Sequence, residues 1–400
     1  MPDFLPFPAL RYATPPSGDA DLSAVCAPPY DVIEPEDRAS LLAAEPRNAV
    51  RLILPDSYAA AADLLARWQA DGTLIVDDTP TFSIYRMHFT GDDGLARVTT
   101  GVIGALELDR DGVLPHERTL PKAKSDRLEL LRATRANFDP IWGLSLATGL
   151  SELLEPDAAP VAVADDRDGV RHECYPITDP VRLGAIRAAV SASGLVLADG
   201  HHRFETACTY YDERRRDDVG AGAIMTLVVE LAPEQLCVRA IHRLLTDLPS
   251  VRIRDALASV FDVRDAGAND AAGVAALEAA MQRERALGLV DAEGLALLVP
   301  RAALDQRVAE LAPPLRDVDA ARFDAAVLPA LPGVSLAYRD DAATVAAAVE
   351  KGNAQVAVLL RPVEVETIRA AAAARLRMPE KTTFFAPKPR TGMVFRSLDL

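Results

Sequence analysis

The sequence predicts a mixed α/β protein of the α+β kind, on three observations. Short apolar runs bounded by Gly, Pro and Asp recur along the chain, as strands do. Between them lie longer stretches whose apolar residues fall at i, i+3, i+4 and i+7, the spacing of amphipathic helices. The chain is 400 residues long, half of them hydrophobic and 26% charged, enough for two or three domains with cores of their own.

The elements follow in order. "PPYDVI" (28–33) reads as a turn entering a strand, and "EPEDRASLLAAEP" as a helix with an acidic first turn. "AVRLILP" reads as a strand closed by Pro55. "SYAAAADLLARWQADG" is a helix with Ala61, Leu64, Leu65 and Trp68 on one face, ending at Gly72. "TFSIYRMHF" alternates like a half-exposed strand, and "TGDDG" turns the chain. These elements make an N-terminal α/β region over 1–100.

A second region covers 101–250. "TGVIGALEL" is a strand and "KSDRLELLRAT" a helix. "VAVADDRDGVRHECYPI" is a hairpin turning at "RDG". "PVRLGAIRAAVSAS" is a helix, "GLVLA" a strand, "HHRFETACTYYDERRR" a helix and "AIMTLVVEL" a strand. The third region, 251–400, is expected to be dominated by alanine-rich helices at 252–259, 271–287 and 340–350. The strand "AQVAVLL" and the helix "EVETIRAAAAARLR" follow, with Pro379 ending that helix before a helix-free tail.

Charge excludes some functions. The net charge of −16 opposes binding to a polyanionic duplex, which needs clustered Lys and Arg. The one dense basic run, Arg214-Arg215-Arg216, is flanked by Asp212, Glu213, Asp217 and Asp218 and reads as a solvated helix end. No uncharged apolar run reaches the ~20 residues that span a bilayer, and "MPDFLPFPAL" lacks the basic start of a secretory signal. Four scattered cysteines without a CxxC fit a reduced compartment. The expectation is a cytoplasmic protein with no nucleic-acid or membrane partner; its oligomeric state is not legible.

The informative junction is "LVLADGHHRFETA" (195–207). An apolar strand stops at Asp199, and Gly200 allows φ > 0 and close backbone approach by a ligand. A helix then begins, with Phe204, Ala207, Cys208 and Tyr211 on its inner face. His201, His202 and Arg203 fall at its start, where unpaired N–H groups and the dipole attract anions and a guanidinium matches phosphate oxygens. Asp199 can hold Mg²⁺ or orient a neighbour. The plain alternative is an ordinary Asp-Gly turn with histidines bonding a loop. A metal held by both histidines is disfavoured, because adjacent helix residues point about 100° apart.

Two further segments carry candidates. "LPHERT" (114–119) places His116, Glu117 and Arg118 after a strand, where Glu117 is either a general base or a solvated loop acid. "MPEKTTFFAPKPRTG" (378–392) offers Lys381, Thr382, Thr383, Lys388 and Arg390 to a small polar substrate or a phosphate, or simply to solvent.

Together "PPYDVI", "VRLILP", "PHERT", "KSDRLELLRATRANFDPI", "ADGHHRFETA" and "MPEKTTFFAPKPRTG" resemble a bacterial and archaeal domain-of-unknown-function family, number one thousand and fifteen, over nearly the whole chain. More distantly, Pro115-His116-Glu117, Asp199 to Arg203 and Lys381-Thr382-Thr383 are similar, in the same order, to motifs of the free serine kinases of the ParB/sulfiredoxin superfamily. That resemblance implies a ParB/sulfiredoxin-like phosphate-binding core over 101–250, extended by 1–100 and followed by a substrate-side domain over 251–400. It implies Glu117 as catalytic base, and the chemistry of phosphoryl transfer makes Asp199 a candidate catalytic and Mg²⁺-contacting residue. It implies Gly200, His201, His202 and Arg203 on the phosphates of ATP or ADP. It places Thr382 and Thr383 near an amino-acid substrate; the chemistry adds His116 and Lys381 as further substrate contacts and one of Arg127, Arg132 or Arg135 as an assisting cation.

The chain departs from those kinases in its first hundred residues and in a longer insert between Glu117 and Asp199. Three other readings compete. A nucleotide-binding regulator would bind without turnover. A ParB-like nucleotide-dependent DNA clamp would need a basic recognition helix, and none is apparent. A sulfiredoxin-like reductase would need a cysteine where His201 stands, and Cys208 lies more than a turn further on.

Overall fold

The computed structural model describes residues 1–13, 20–91, 94–117, 124–215 and 218–399, without the side chains of 124 and 125. Arg118, the Asp92-Asp93 tip of the "TGDDG" turn and Arg216 lie outside the described residues. The fold is mixed α/β. The chain divides into two compact units, one of Met1–Pro115, Thr119–Cys237 and Pro387–Leu400, the other of His116–Arg118 and Val238–Ala386.

The first unit is built on a mixed sheet in the order Val113–Pro115, Leu195–Asp199, Ile141–Ser145, Ala223–Glu230, Ala96–Glu107, Phe82–Thr90, Arg171–Ile177, Ala162–Asp165. Phe4–Leu5 joins it against Ala96–Glu107. Val113–Pro115 runs parallel to Leu195–Asp199, with Pro115 opposite Leu197. The chain leaves the first of these strands into His116 and the second into Gly200.

Leu195 through Ala198 are all buried, as a continuous apolar run in a strand covered on both faces should be. The helix His201–Arg214 lays Phe204, Ala207 and Cys208 into the same core as Ile141, Ile186, Val190 and Leu197. Burying a side chain of Phe204's size contributes about 1.5–3 kcal/mol. The expected hairpin forms, Arg171 pairing with Asp165 and Cys174 with Ala162.

Several expectations are corrected. The "PPYDVI" turn enters a 3₁₀ turn, Tyr30–Val32, not a strand. Prolines at 28 and 29 preset φ, and the Val32 N–H closes an i→i+3 bond on Pro29. "AVRLILP" forms one helical turn, Val50–Ile53, and the Asn48 side chain just before it accepts from the Val50 N–H at 2.9 Å. A short apolar run cannot by itself tell a buried strand from a buried helix. The break expected near residue 100 falls inside the strand Ala96–Glu107, which pairs with Phe82–Thr90 on one side and Ala223–Glu230 on the other. The chain passes between units at 115–119, 237–238 and 386–387 instead.

The second unit corrects the expectation of helical dominance. Its sheet has six strands, ordered Phe261–Gly267, Gly294–Pro300, Leu287–Asp291, Val356–Leu359, His242–Thr246, Ser335–Arg339. Ala271–Glu284 and Ala342–Glu350 pack Val274, Leu277, Val345 and Ala346 into one core with Val290, Leu297 and Leu359. The helix expected over 271–287 stops at Glu284, because Leu287 already belongs to a strand. The last helix, Val365–Ala373, ends before Pro379: Arg375 takes a left-handed φ of 52°, and Leu376 bonds back to Ala371. The tail contains the strands Thr383–Ala386 and Arg396–Ser397.

Candidate functional site

The expected residues fall into two groups, one in each unit. In the first unit, Gly200 caps the helix His201–Arg214 with φ 85°. A β-carbon there would stand 2.6 Å from Ile141 Cγ2, so both conformation and space require glycine. The first intrahelical bond runs from Phe204 N–H to Gly200 C=O. The helix start therefore has the geometry of an anion site.

Asp199 is held at both oxygens. Oδ1 accepts from the Gly200 N–H at 2.8 Å, and Oδ2 accepts from Lys388 Nζ at 2.6 Å. Burial pushes its carboxyl up, but the charges of Lys388 and then Arg203 outweigh that and hold it well below the usual carboxylate range. With an ammonium already on Oδ2, Asp199 is a poor fit for a protein-held Mg²⁺. Among the described residues, no three His, Cys, Asp or Glu converge as a metal-binding group.

Arg203 donates to the Pro140 carbonyl at 2.8 Å, and its Cζ lies 5.9 Å from the centre of the Tyr30 ring. Arg127 approaches the same ring at 4.3 Å and donates to the Ile53 carbonyl at 2.7 Å. Of the three arginines considered for an assisting role, Arg127 alone joins this cluster. Arg132 pairs with Glu129 and Glu213, and Arg135 with Asp218 and Asp399. His201 and His202 are half-buried, and His202 Nδ1 is enclosed without a hydrogen bond among the described residues.

Sequence reasoning missed Asp139, which sits in the connection between Ala136–Asn137 and Ile141–Ser145. Its Oδ1 accepts from Thr391 Oγ1. Burial pushes its carboxyl up, and the charge of Arg203 and the Thr391 hydrogen bond oppose that only in part. Asp139, Arg203, Arg127 and Thr206 line a cavity of about 60 Å³, whose other walls include Ile53 and Phe138.

The loop that supplies Lys388 and Thr391 is pinned from behind. Arg390 N–H donates to the Tyr85 hydroxyl at 2.9 Å, that hydroxyl lies 3.0 Å from His172 Nδ1, and His172 Nε2 lies 3.3 Å from Asp166. Thr391 and Ala27 exchange both backbone bonds. Segments 28–33, 124–141, 199–203 and 388–391 thus meet within one unit. Their signal was visible as motifs, not as periodicity.

The second group centres on Glu117. Its side chain is 12% exposed, which rules out a freely solvated loop acid. Oε1 accepts from the N–H groups of Thr382 at 3.2 Å and Thr383 at 2.8 Å and from Thr383 Oγ1 at 2.7 Å. His116 Nε2 lies 3.3 Å from the same oxygen and 2.7 Å from Thr383 Oγ1. Burial pushes the Glu117 carboxyl up, yet His116 and the Thr383 donors prevail and lower it to about 2.

From the other side, buried Arg243 donates to the Lys381 carbonyl at 2.7 Å. The Lys381-Thr382-Thr383 turn, with φ 54° at Lys381, is therefore clamped between a guanidinium and a carboxylate. Thr382 Oγ1 donates to the Pro379 carbonyl at 2.7 Å, while Lys381 is exposed. His116, Glu117, Thr382 and Thr383 come together; the Lys381 side chain does not join them.

Cys208 is buried, and burial raises its thiol above the usual range, so it is a poor nucleophile. Among the described residues, no helix is long and apolar enough to cross a membrane.

The family model described as "Protein of unknown function (DUF1015)" matches residues 4–321. The chain belongs to this family. Family membership carries no assigned activity, and no curated protein matches the chain in sequence. Among solved structures, a conserved hypothetical protein from Pyrococcus furiosus matches with a TM-score of 0.39 at 15% identity, covering 76% of this chain and 97% of that one. A free serine kinase in complex with AMP gives 0.38 at 12%, over 72% and 87%. SbnI with a C-terminal truncation, from Staphylococcus aureus, gives 0.36 at 10%, over 72% and 85%. Likenesses this weak carry no functional argument.

Proposed function

We propose that this DUF1015 protein is a small-molecule kinase that moves a phosphoryl group from ATP or ADP to the hydroxyl of free serine or a similar metabolite. The observation that supports it most is the junction at Gly200, where a left-handed glycine opens a helix start and Lys388 and Arg203 flank it with two cations. Such a start takes phosphate oxygens on backbone N–H groups, and the two cations neutralise them. The motif resemblance points the same way.

Phosphoryl transfer needs the donor held, the acceptor hydroxyl aligned and its proton removed as the new P–O bond forms. Gly200, His201, His202 and Arg203 serve the first need in this reading. Lys388 serves it too, by turning from Asp199 toward the donor. Mg²⁺ would travel with the nucleotide and supply further charge neutralisation. Exposed Lys381 suits a substrate carboxylate, with Thr382, Thr383 and His116 shaping the turn behind it. Glu117 can take the proton only if Thr383 and His116 release it, since a carboxylate lowered to about 2 holds protons weakly near neutral pH.

That observation favours one second reading, a nucleotide-binding regulator without turnover. A matrix of ATP or ADP against free amino acids with Mg²⁺, followed by phosphorus NMR, separates the two. A new phosphomonoester signal is expected from the kinase. Nucleotide binding by calorimetry without consumption selects the regulator, and no nucleotide binding at all rejects both.

A further inference from the structure

We infer that Asp139 is the catalytic base of this protein, removing the proton from the acceptor hydroxyl as the donor phosphoryl group is transferred. The inference rests on the kinase reading and deepens it.

Geometry carries the argument. Asp139 belongs to the same unit as the Gly200 junction and lines one cavity with Arg203 and Arg127. Thr391 Oγ1 holds Oδ1, which orients the carboxyl group, while Oδ2 accepts no hydrogen bond among the described residues. One oxygen positioned and the other available is what proton abstraction requires. Glu117 is the opposite case, with three donated hydrogen bonds and a histidine on a single oxygen.

The groups whose charges act on Asp139 are Arg203, Asp31 and Arg127, with Thr391 donating to it. Burial raises its proton affinity and Arg203 keeps the ionised form accessible. In the step, the acceptor oxygen attacks phosphorus, and its proton passes to Asp139 Oδ2. The P–O bond to the nucleotide breaks, and that electron pair leaves on the nucleotide oxygen. No oxidant or further reactant is needed.

The test uses the full chain as wild type and Asp139→Asn. ADP affinity is read by calorimetry, and turnover by phosphorus NMR on the acceptor panel with water included. Asp139→Asn keeps the acceptor for Thr391. It is expected to bind ADP within about threefold of wild type and to lose about 10²–10⁴ in turnover. The acid limb of the wild-type rate–pH profile should vanish with it.

Turnover in Asp139→Asn within about threefold of wild type overturns the assignment and leaves the kinase reading standing. A wild-type protein that binds nucleotide without any turnover overturns the kinase reading, and the base assignment with it. Should the asparagine variant fail to fold, Asp139→Glu displaces the carboxylate by about one bond length. It should then lower turnover at least about tenfold with ADP binding intact; unchanged turnover would overturn the proposal equally.

Discussion

Asp139 and Glu117 are carboxylates on connecting segments, each touched by a threonine hydroxyl and each influenced by a neighbouring base, yet their environments push them in opposite directions. Glu117 collects donors on one oxygen and is held ionised down to about pH 2. Asp139 accepts one hydrogen bond among the described residues, is half-buried, and is pushed up. The difference teaches that burial pushes both carboxyls up, and that the charge of His116 and then the Thr383 donors overcome it at Glu117, while Arg203 and one threonine do not overcome it at Asp139. By that criterion Glu117 braces the Lys381-Thr382-Thr383 turn, and Asp139 is the group suited to chemistry.

The comparison breaks most severely at the junction beside Asp139. Gly200→Ala adds a strained positive φ and a contact with Ile141 and is expected to cost about 3 kcal/mol or more, with loss of ADP binding. Gly72 also has positive φ, 76°, but an added β-carbon meets nothing within 4 Å, so Gly72→Ala should cost only about 1 kcal/mol. Urea titrations of both variants check this. Equal losses would mean that the close approach to Ile141 is not what selects glycine.

Next in size is Glu117→Gln. The carboxyl's pKa in the folded chain is lower than in the unfolded one, so the unfolded chain binds the extra proton. The stabilisation is full above about pH 4.5 and is lost as pH falls through about 2. Its loss at neutral pH should cost about 3 kcal/mol and flatten the acid limb of the stability–pH curve. For Asp139 the sign reverses. A pKa raised by folding adds stability only at low pH and loses it as pH rises through the folded value, so Asp139→Asn should be no less stable than wild type at pH 7. Destabilisation by both substitutions would erase the contrast.

Smaller effects follow. Lys388→Met leaves the Asp199 carboxylate without its ammonium; both side chains are partly exposed, so about 1–2 kcal/mol of stability is expected to go, with ADP binding weakened at least about tenfold. Smallest is Thr383→Val, which removes one donor to Glu117 and should cost about 1 kcal/mol, while Thr383→Ser stays within about 0.5 kcal/mol. Thermal melts of the pair measure this, and equal melting points for Val and Ser would show that the hydroxyl does not hold Glu117.

Much of the fold was legible where local signals were strong. The helices Tyr58–Ala70, Lys124–Thr134 and His201–Arg214, the 162–177 hairpin and the Gly200 junction follow from periodicity, turn residues and a glycine that local geometry demands. The second unit's strands were obscured, because alanine and glycine at positions such as Gly288 and Ala296 blur strand alternation among alanine-rich helices. In the candidate site, the histidines, arginine and glycine of 199–203 were visible because their types fit a phosphate. Asp139 was not, since a lone Asp before a proline reads as a turn.

The residue types of the phosphate-side junction, the acidic character that opposes a duplex and the alternation of helix and strand were properties of the sequence itself, because each arises among near neighbours or from composition. Which strands pair, where the chain passes between units, that Lys388 meets Asp199 and that Thr391 meets Asp139 were decided by tertiary structure alone. The physical reason is that proton affinity and ion pairing depend on burial and on partners hundreds of residues away, and neither is written in any local spacing.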